Sequence, residues 1–153
     1  MDDINIMDKN NNCIFCKPIN VIVNGQYAYS RLDEFPVSNG HCLIIPKRHV
    51  KTIWELTDEE LKDLYTVMKQ TDDWIFEWYH PDGENIGINE GEVAGQTVEH
   101  LHIHIIPRYE GDVIDPTGGV RGVIPYKQKY KKSDPKYYGD DDTDDDPYGI
   151  LFP

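Results

Sequence analysis

The feature that most constrains the fold is a run of three histidines at alternate positions, His100, His102 and His104, within the largely apolar segment 98–106. Successive side chains of a β-strand point to opposite faces, so the three imidazoles would share one face and the residues between them the other. Burying three imidazoles is costly unless they have polar partners. The pattern predicts a strand, closed by Pro107, that carries a functional cluster; a chance cluster and a metal-binding tract are the alternatives.

Length and charge limit the classes of protein that this chain can belong to. Its 153 residues fit one domain, and 39% hydrophobic residues are typical of a globular protein. The net charge of −13 disfavours binding to nucleic acid polymers, which requires a basic surface, but it permits a small phosphorylated ligand held by local donors. No apolar run has the length of a membrane span, and the polar N-terminus does not resemble a secretory signal. We therefore expect a cytoplasmic protein without a membrane partner.

Turn and capping signals divide the chain into strands and one long helix. Asn24-Gly25 lies between the strand candidates 20–23 and 26–32, as in a β-hairpin. Thr57 and Glu60 form a capping box that starts a helix predicted over 58–79, which ends before Pro81-Asp82-Gly83. Its apolar side is expected to contain Leu61, Leu64, Tyr65, Met68, Ile75 and Trp78. The remaining strand candidates are 41–46, 85–90 and 98–106, with a loop over 91–97.

These elements predict an α+β fold with a mainly antiparallel sheet of about five strands. The strand with the histidines is expected at its centre, and the helix on one face. We expect a polar extension over 1–12, one domain over 13–126, and an irregular C-terminal arm over 127–153. The arm contains the acidic run 140–146, where clustered like charges predict a mobile tail that is dispensable for chemistry.

The motifs resemble those of the histidine triad (HIT) family. Gly95-Gln96-Thr97 followed by the segment 98–106 is similar to the family signature, in which three histidines alternate with apolar residues. Gly40-His41 and the segment 56–61 also resemble family elements, and the resemblance extends over about 13–126. It implies a HIT-like fold and a homodimer formed through the helix and a neighbouring strand. Trp74, Ile75 and Trp78 would suit that interface, or equally the ordinary core.

The resemblance also implies a role for each site residue. The middle histidine, His102, would attack phosphorus as a neutral imidazole, which requires its other ring nitrogen to donate a proton to a fixed acceptor. His104, Gln96 and Thr97 would stabilise the charge that develops on the phosphate, and Asn89 would reach the phosphate or the leaving group. His41 would orient the triad. Asp33 would hold the ribose hydroxyls, although an aspartate in a turn is the plainer interpretation.

Cys13 and Cys16 form a Cys-x-x-Cys pair, which alone indicates metal binding, redox chemistry or simply packed thiols. Within the family resemblance, His49 and His100 complete a tetrahedral set of two thiolates and two imidazoles for a structural zinc ion. No redox cofactor is expected. Mg²⁺ would act only by coordinating the phosphates of the substrate.

The segment 94–112 closely resembles the fragile-histidine-triad branch of the family, and 118–125 resembles bacterial members of that type. That branch implies a hydrolase of dinucleoside polyphosphates, such as diadenosine tri- or tetraphosphate. It would attack the α-phosphate, form a nucleotidyl-histidine and release a mononucleotide. One alternative is a nucleoside phosphoramidase of the same family, although its C-terminal tryptophan has no counterpart here. The other is a non-catalytic, zinc-stabilised nucleotide-binding module.

Overall fold

The computed structural model describes residues 12–129 of the chain. Within that range, residues 12–113 and residues 114–129 belong to two separate compact units. Positions 1–11 and the acidic run 140–146 lie outside the described residues, and the boundaries of the domain over 13–126 stay a prediction. Within residues 12–129, no helix combines the length and the apolar character needed to cross a membrane.

The first unit is built on a five-stranded sheet in which every neighbouring pair is antiparallel, which confirms the α+β prediction. The strands are β1 (Val21–Asn24), β2 (Ala28–Leu32), β3 (Cys42–Pro46), β4 (Gly83–Ile88) and β5 (Ile103–Arg108). Their order across the sheet is β1-β2-β3-β5-β4. The central strand is therefore β3, and the prediction that the histidine strand is central was wrong, because β5 lies one place from the edge.

Strand β5 begins later and ends later than the predicted segment 98–106. The chain bends before it, where His100 N donates to Val98 O and Leu101 N donates to Val50 O. His100 and His102 consequently precede the strand, and only His104 lies within it. Pro107 continues the strand because the pairing with β3 ends at Ile105, so no hydrogen bond to β3 is required of it.

The other predicted elements are present with small shifts at their ends. The hairpin joins β1 and β2 through residues 25–27, and the Asp63 carboxylate accepts hydrogen bonds from the backbone N–H groups of Tyr27 and Ala28. The strand predicted over 85–90 is β4, which ends at Ile88, and the loop over 91–97 contains a short 3₁₀ turn, Glu92–Ala94. Local turn chemistry was thus sufficient to place the connections.

The helix α1 (Asp58–Tyr79) has the predicted bounds. Thr57 Oγ1 accepts from Glu60 N at 3.2 Å, and the Glu60 carboxylate accepts from Thr57 N at 2.9 Å, which forms both halves of the capping box. At the other end, the Tyr79 ring packs against Gly40, where an added Cβ would lie 2.8 Å from the ring and where φ is +85°. Only glycine suits that position, directly before His41.

The face of α1 that contacts the sheet differs from the predicted apolar side. Leu64, Val67, Thr71 and Ile75 are buried, whereas Leu61, Tyr65 and Trp78 are exposed. The predicted side left out Val67 and also Thr71, a polar residue whose burial no local signal predicts. Its hydroxyl lies 2.7 Å from both Ser30 Oγ and Val67 O, so its burial leaves no polar group without a partner.

The sheet separates two apolar clusters. Helix α1 packs with Ala28, Cys42, Ile44, Ile103 and Ile105 on one face. On the other face lies a smaller cluster formed by Phe15, Tyr29, Leu43 and Ile45. Because neighbouring residues of a strand point to opposite faces, this second face receives the side chains of Arg31 and His104 as well. The candidate site lies on this side.

Candidate active site and metal centre

A cavity of about 290 Å³ lies on the sheet face opposite α1. Its floor includes a cross-strand row, in which Arg31 of β2 pairs with Leu43 of β3 and Leu43 pairs with His104 of β5. The structure thus brings five of the predicted site residues, together with several unpredicted ones, around one space. The lining residues are Ile14, Phe15, Arg31, Asp33, Glu34, Phe35, Leu43, Asn89, Gly95, Thr97, Val98, His102 and His104.

His102 is buried beside this cavity with one ring nitrogen already bonded. Its Nδ1 lies 2.8 Å from the carbonyl oxygen of His100. A carbonyl only accepts, so Nδ1 carries the proton and, in the neutral ring, the lone pair is on Nε2. The ring packs against Phe15 and His104, each at a centroid distance of 5.1 Å. The local geometry therefore holds His102 in the tautomer that a nucleophilic Nε2 requires.

His104 is prepared as a donor by a chain of two hydrogen bonds. Val37 N donates to His41 Nδ1 at 3.2 Å, so the proton of a neutral His41 is on Nε2. His41 Nε2 lies 2.9 Å from His104 Nδ1 and donates to it, which leaves the proton of His104 on Nε2. That atom is buried and has no partner among residues 12–129. A buried N–H without a partner next to a cavity is suited to a ligand oxygen.

Asp33 lies beside the two histidines and also closes its own turn. Its Oδ2 is 3.5 Å from His41 Nε2 and 3.9 Å from His104 Nδ1. Its Oδ1 accepts from Phe35 N at 2.8 Å. The three side chains are close enough to hold a metal ion, but the hydrogen bonds of both His41 nitrogens already explain the arrangement. Asp33 therefore serves as a turn residue that also presents a carboxylate to the cavity.

Burial keeps both histidines neutral. It lowers the pKa of His41, although Asp33 partly opposes this shift. It also lowers the pKa of His104 to about 4, with further contributions from His102 and His41 and an opposing one from Asp33. At physiological pH the His104 side chain is consequently a neutral hydrogen-bond donor.

The His104 shift predicts a specific dependence of stability on pH. Between pH 6.5 and about 4 the unfolded chain binds a proton at His104 that the folded chain does not bind. The free energy of unfolding should therefore fall as pH falls through this window, by up to about 1.4 kcal/mol per pH unit. Urea unfolding at several pH values should show a shallower slope for His104→Gln than for the unmodified chain. Equal slopes would contradict the lowered pKa of His104. Subtracting one slope from the other removes the contributions of other titratable groups, which both chains share.

The loop before β5 supplies polar groups in two different ways. Asn89, Gly95 and Thr97 line the cavity. The Gln96 amide is instead bonded within the loop, where Oε1 accepts from Gly91 N at 2.8 Å and Nε2 donates to Lys51 O at 3.0 Å. The structure therefore does not bring Gln96 into the cavity with the others, and its predicted contact with phosphate stays a prediction.

Cys13, Cys16, His49 and His100 form a separate cluster whose ligand atoms all lie within 4.8 Å of one another. Cys13 Sγ is 3.3 Å from His100 Nδ1, and Cys16 Sγ is 3.3 Å from His49 Nδ1. Ligand atoms around a tetrahedral zinc ion are separated by about 3.5 Å, given the usual bond lengths. The His100 Nε2 atom lies 2.8 Å from Pro46 O and donates to it, which puts the lone pair of the neutral ring on Nδ1, the atom that faces the sulfurs. The four residues fit zinc.

Sequence reasoning missed several residues that line the cavity, and three of them, Phe15, Arg31 and Glu34, bear on its chemistry. Phe15 lies between the two cysteines, so the cluster that they form also places its ring against His102. Arg31 and Glu34 were missed because neither belongs to a recognised motif. A signal was available for Arg31, which precedes Asp33 by two residues and so shares its side of the chain in an extended segment.

Comparison with known proteins agrees with this geometry. Residues 16–111 match the model of the HIT domain. The chain belongs to the HIT family. A HIT-like protein of Methanocaldococcus jannaschii is 42% identical over 106 residues, which cover 65% of this chain and 81% of that protein.

Two further HIT relatives carry informative descriptions. A bis(5'-adenosyl)-triphosphatase of Dictyostelium discoideum is 46% identical over 87 residues, covering 57% of this chain and 58% of that protein. The crystal structure of a zinc-bound histidine triad family protein from Mycobacterium smegmatis has a TM-score of 0.60 and 33% identity, covering 68% of this chain and 80% of that one. The family thus includes a named dinucleoside polyphosphate hydrolase and a zinc-bound member.

Proposed function

We propose that this HIT protein is a hydrolase of dinucleoside polyphosphates that cleaves at the α-phosphate through a nucleotidyl-histidine. The observation that carries the proposal is the tautomer of His102, whose Nδ1 is bonded to the carbonyl of His100. This leaves a lone pair on Nε2 of a residue that lines the cavity. The name of the Dictyostelium relative supports the substrate class.

The neighbouring groups suit the steps that follow. His102 Nε2 attacks the α-phosphorus, the bond to the bridging oxygen breaks, and the remaining nucleotide leaves with the electron pair of that bond. The buried Nε2–H of His104, which has no partner among the described residues, would donate a hydrogen bond to a phosphate oxygen and stabilise its negative charge. Water then hydrolyses the phosphorus–nitrogen bond and releases the mononucleotide. His41 acts through His104, whose tautomer it fixes.

Three further residues are assigned to the substrate. We assign Asn89 and Thr97, which line the cavity, to the phosphate or the leaving group. The Asp33 carboxylate can accept hydrogen bonds from the two ribose hydroxyls. Mg²⁺ would act only on the substrate's phosphates, and we assign no residue to it.

We further propose that Cys13, Cys16, His49 and His100 hold a structural zinc ion, for which the distances and the donor set described above are the support. A closed site of two thiolates and two imidazoles supplies stability rather than chemistry. It would tie the segment that contains the cysteines to the sheet.

A homodimer and a cytoplasmic location stay predictions. An apolar groove lined by Ile53, Leu61, Tyr65, Met68 and Ile103 is a surface available to a second copy.

The test is hydrolysis of diadenosine triphosphate, diadenosine tetraphosphate and an adenosine phosphoramidate by the purified full chain. Products are separated by chromatography. We expect AMP and the complementary nucleotide from the polyphosphates, with a higher kcat/KM than for the phosphoramidate. Faster turnover of the phosphoramidate would assign the chain to the other hydrolase activity, and nucleotide binding without any turnover would indicate a binding module.

A further inference from the structure

Two charged side chains that line the cavity, Arg31 and Glu34, have no role in the mechanism above. Arg31 is only 3% exposed, although it carries a guanidinium group. Its Nε donates to Leu32 O at 3.3 Å, and its Nη2 donates to the carboxylate of Glu34. The guanidinium has five N–H donors in a fixed plane, and Nη1 makes no hydrogen bond to any residue in the range 12–129. The wall of the cavity therefore contains a buried cation that can donate further hydrogen bonds to a ligand.

The position of Arg31 relative to the reacting histidines follows from the register of the sheet. Arg31 pairs with Leu43, and Leu43 pairs with His104. Adjacent strands are about 4.8 Å apart, so the backbone of Arg31 lies about 10 Å from that of His104. Asp33 lines the same cavity and lies at its histidine end, with Oδ2 3.9 Å from His104 Nδ1. If the α-phosphate is at the histidines and the ribose at Asp33, the base extends toward Arg31 and Glu34.

The charges around Arg31 favour a base over a phosphate as its ligand. The Glu34 carboxylate is bonded to the guanidinium, and Asp33 is two residues away on the same cavity wall. Two carboxylates beside one cation repel a polyphosphate chain. A neutral ligand whose edge has both acceptors and donors can bond the Arg31 guanidinium and the Glu34 carboxylate together. Phe35, which is 85% exposed and lines the same cavity, offers an aromatic face for such a group.

Guanine has the complementary edge. Its O6 and N7 accept hydrogen bonds, and arginine contacts this pair more often than any other base edge, while its N1–H and N2–H groups can donate to a carboxylate. Adenine carries an amino group where guanine has O6. Its N–H donors would face the N–H donors of Arg31, and no hydrogen bond could form between them. We propose that Arg31, held by Glu34, recognises guanine and makes guanine nucleotides the preferred substrates. This inference rests on the proposed function only in assuming that the cavity binds a nucleotide.

The test is calorimetric binding of GMP and AMP, which need not be hydrolysed, to the full chain and three variants. We expect the unmodified chain to bind GMP about 10- to 100-fold more tightly than AMP, the range that one good bidentate contact supplies. Arg31→Leu should reduce this preference to about threefold or less, mainly by weakening GMP binding. Glu34→Gln should weaken GMP and leave AMP unchanged. Glu77→Gln, a matched change at an exposed residue of α1, should alter neither.

Several outcomes would overturn the inference. Equal binding of the two nucleotides, tighter binding of AMP, or no binding of either at millimolar concentration each does so. An equal loss of GMP and AMP binding in Arg31→Leu would place the guanidinium on a phosphate instead. If Arg31→Leu does not fold, as judged by its thermal unfolding, Glu34→Gln decides. A preference for GMP without hydrolysis of any dinucleotide supports the base assignment and rejects the hydrolase; hydrolysis without a base preference does the reverse.

Discussion

Replacement of His102 by Asn is expected to lower the rate of dinucleoside polyphosphate hydrolysis by about 10⁴-fold or more, as loss of a covalent nucleophile typically does. The asparagine amide can still donate to the carbonyl of His100, which His102 Nδ1 contacts at 2.8 Å, but it has no ring nitrogen with which to attack phosphorus. The fold and the binding of mononucleotide should persist. The measurement is kcat by chromatography, with calorimetric binding alongside.

His80→Asn is the matched control, because His80 is exposed, ends α1 in a left-handed conformation that asparagine tolerates, and does not line the cavity. It should retain full activity. Rapid quenching of the unmodified chain with substrate labelled at the α-phosphate should trap acid-labile, alkali-stable label on His102. Turnover by His102→Asn at a near-normal rate, or label on another residue, would exclude the mechanism.

Loss of the metal should have the second large effect, on stability. Cys16 is the most informative ligand to change, since its Sγ lies 3.3 Å from His49 Nδ1 and 3.5 Å from His100 Nδ1. We expect Cys16→Ser to lose bound zinc and about 4 kcal/mol of unfolding free energy, the value for a ligand present at 1,000 times its Kd. Elemental analysis gives the zinc content, and urea unfolding under reducing conditions gives the free energy.

Cys42→Ala is the control for the metal prediction. Cys42 is fully buried in the cluster beneath α1 and takes no part in the metal cluster, so this variant should keep its zinc while losing some packing energy. The kcat of Cys16→Ser should fall less than its stability, because the metal supplies folding free energy rather than a reacting group. An unmodified protein that contains no zinc when purified without chelator would refute the assignment.

The sequence predicted those parts of the fold that depend on local signals. The capping box gave the start of α1, Pro81-Asp82-Gly83 gave its end, and Asn24-Gly25 gave the hairpin. The inward face of α1 was not predictable in the same way, because Thr71 is buried only through hydroxyl contacts with Ser30 on another element. Similarly, the alternation of histidines and apolar residues predicted a strand that begins at residue 98. In the structure the chain bends before β5, where Leu101 N donates to Val50 O.

The candidate site shows the same division. Alternation alone would keep all three histidines on one face, and only the family resemblance assigned His100 to the two cysteines, whereas His102 and His104 remain at the cavity. Gln96 belongs to the motif, yet its amide is bonded within the loop. Arg31 belongs to no motif, and only the register between three strands places it in line with His104.

The two faces of the sheet give neighbouring residues of β3 different constraints. Cys42 and Ile44 pack with the helix, whereas Leu43 and Ile45 pack on the side of the cavity. Substitutions on the cavity side can therefore change ligand binding without removing atoms from the larger core. Substitutions at the positions between them change the stability of the protein without contacting the ligand. A substitution at Leu43 can therefore change what the cavity accepts while the packing beneath α1 is kept, because ligand binding and the larger core constrain alternate residues of one strand.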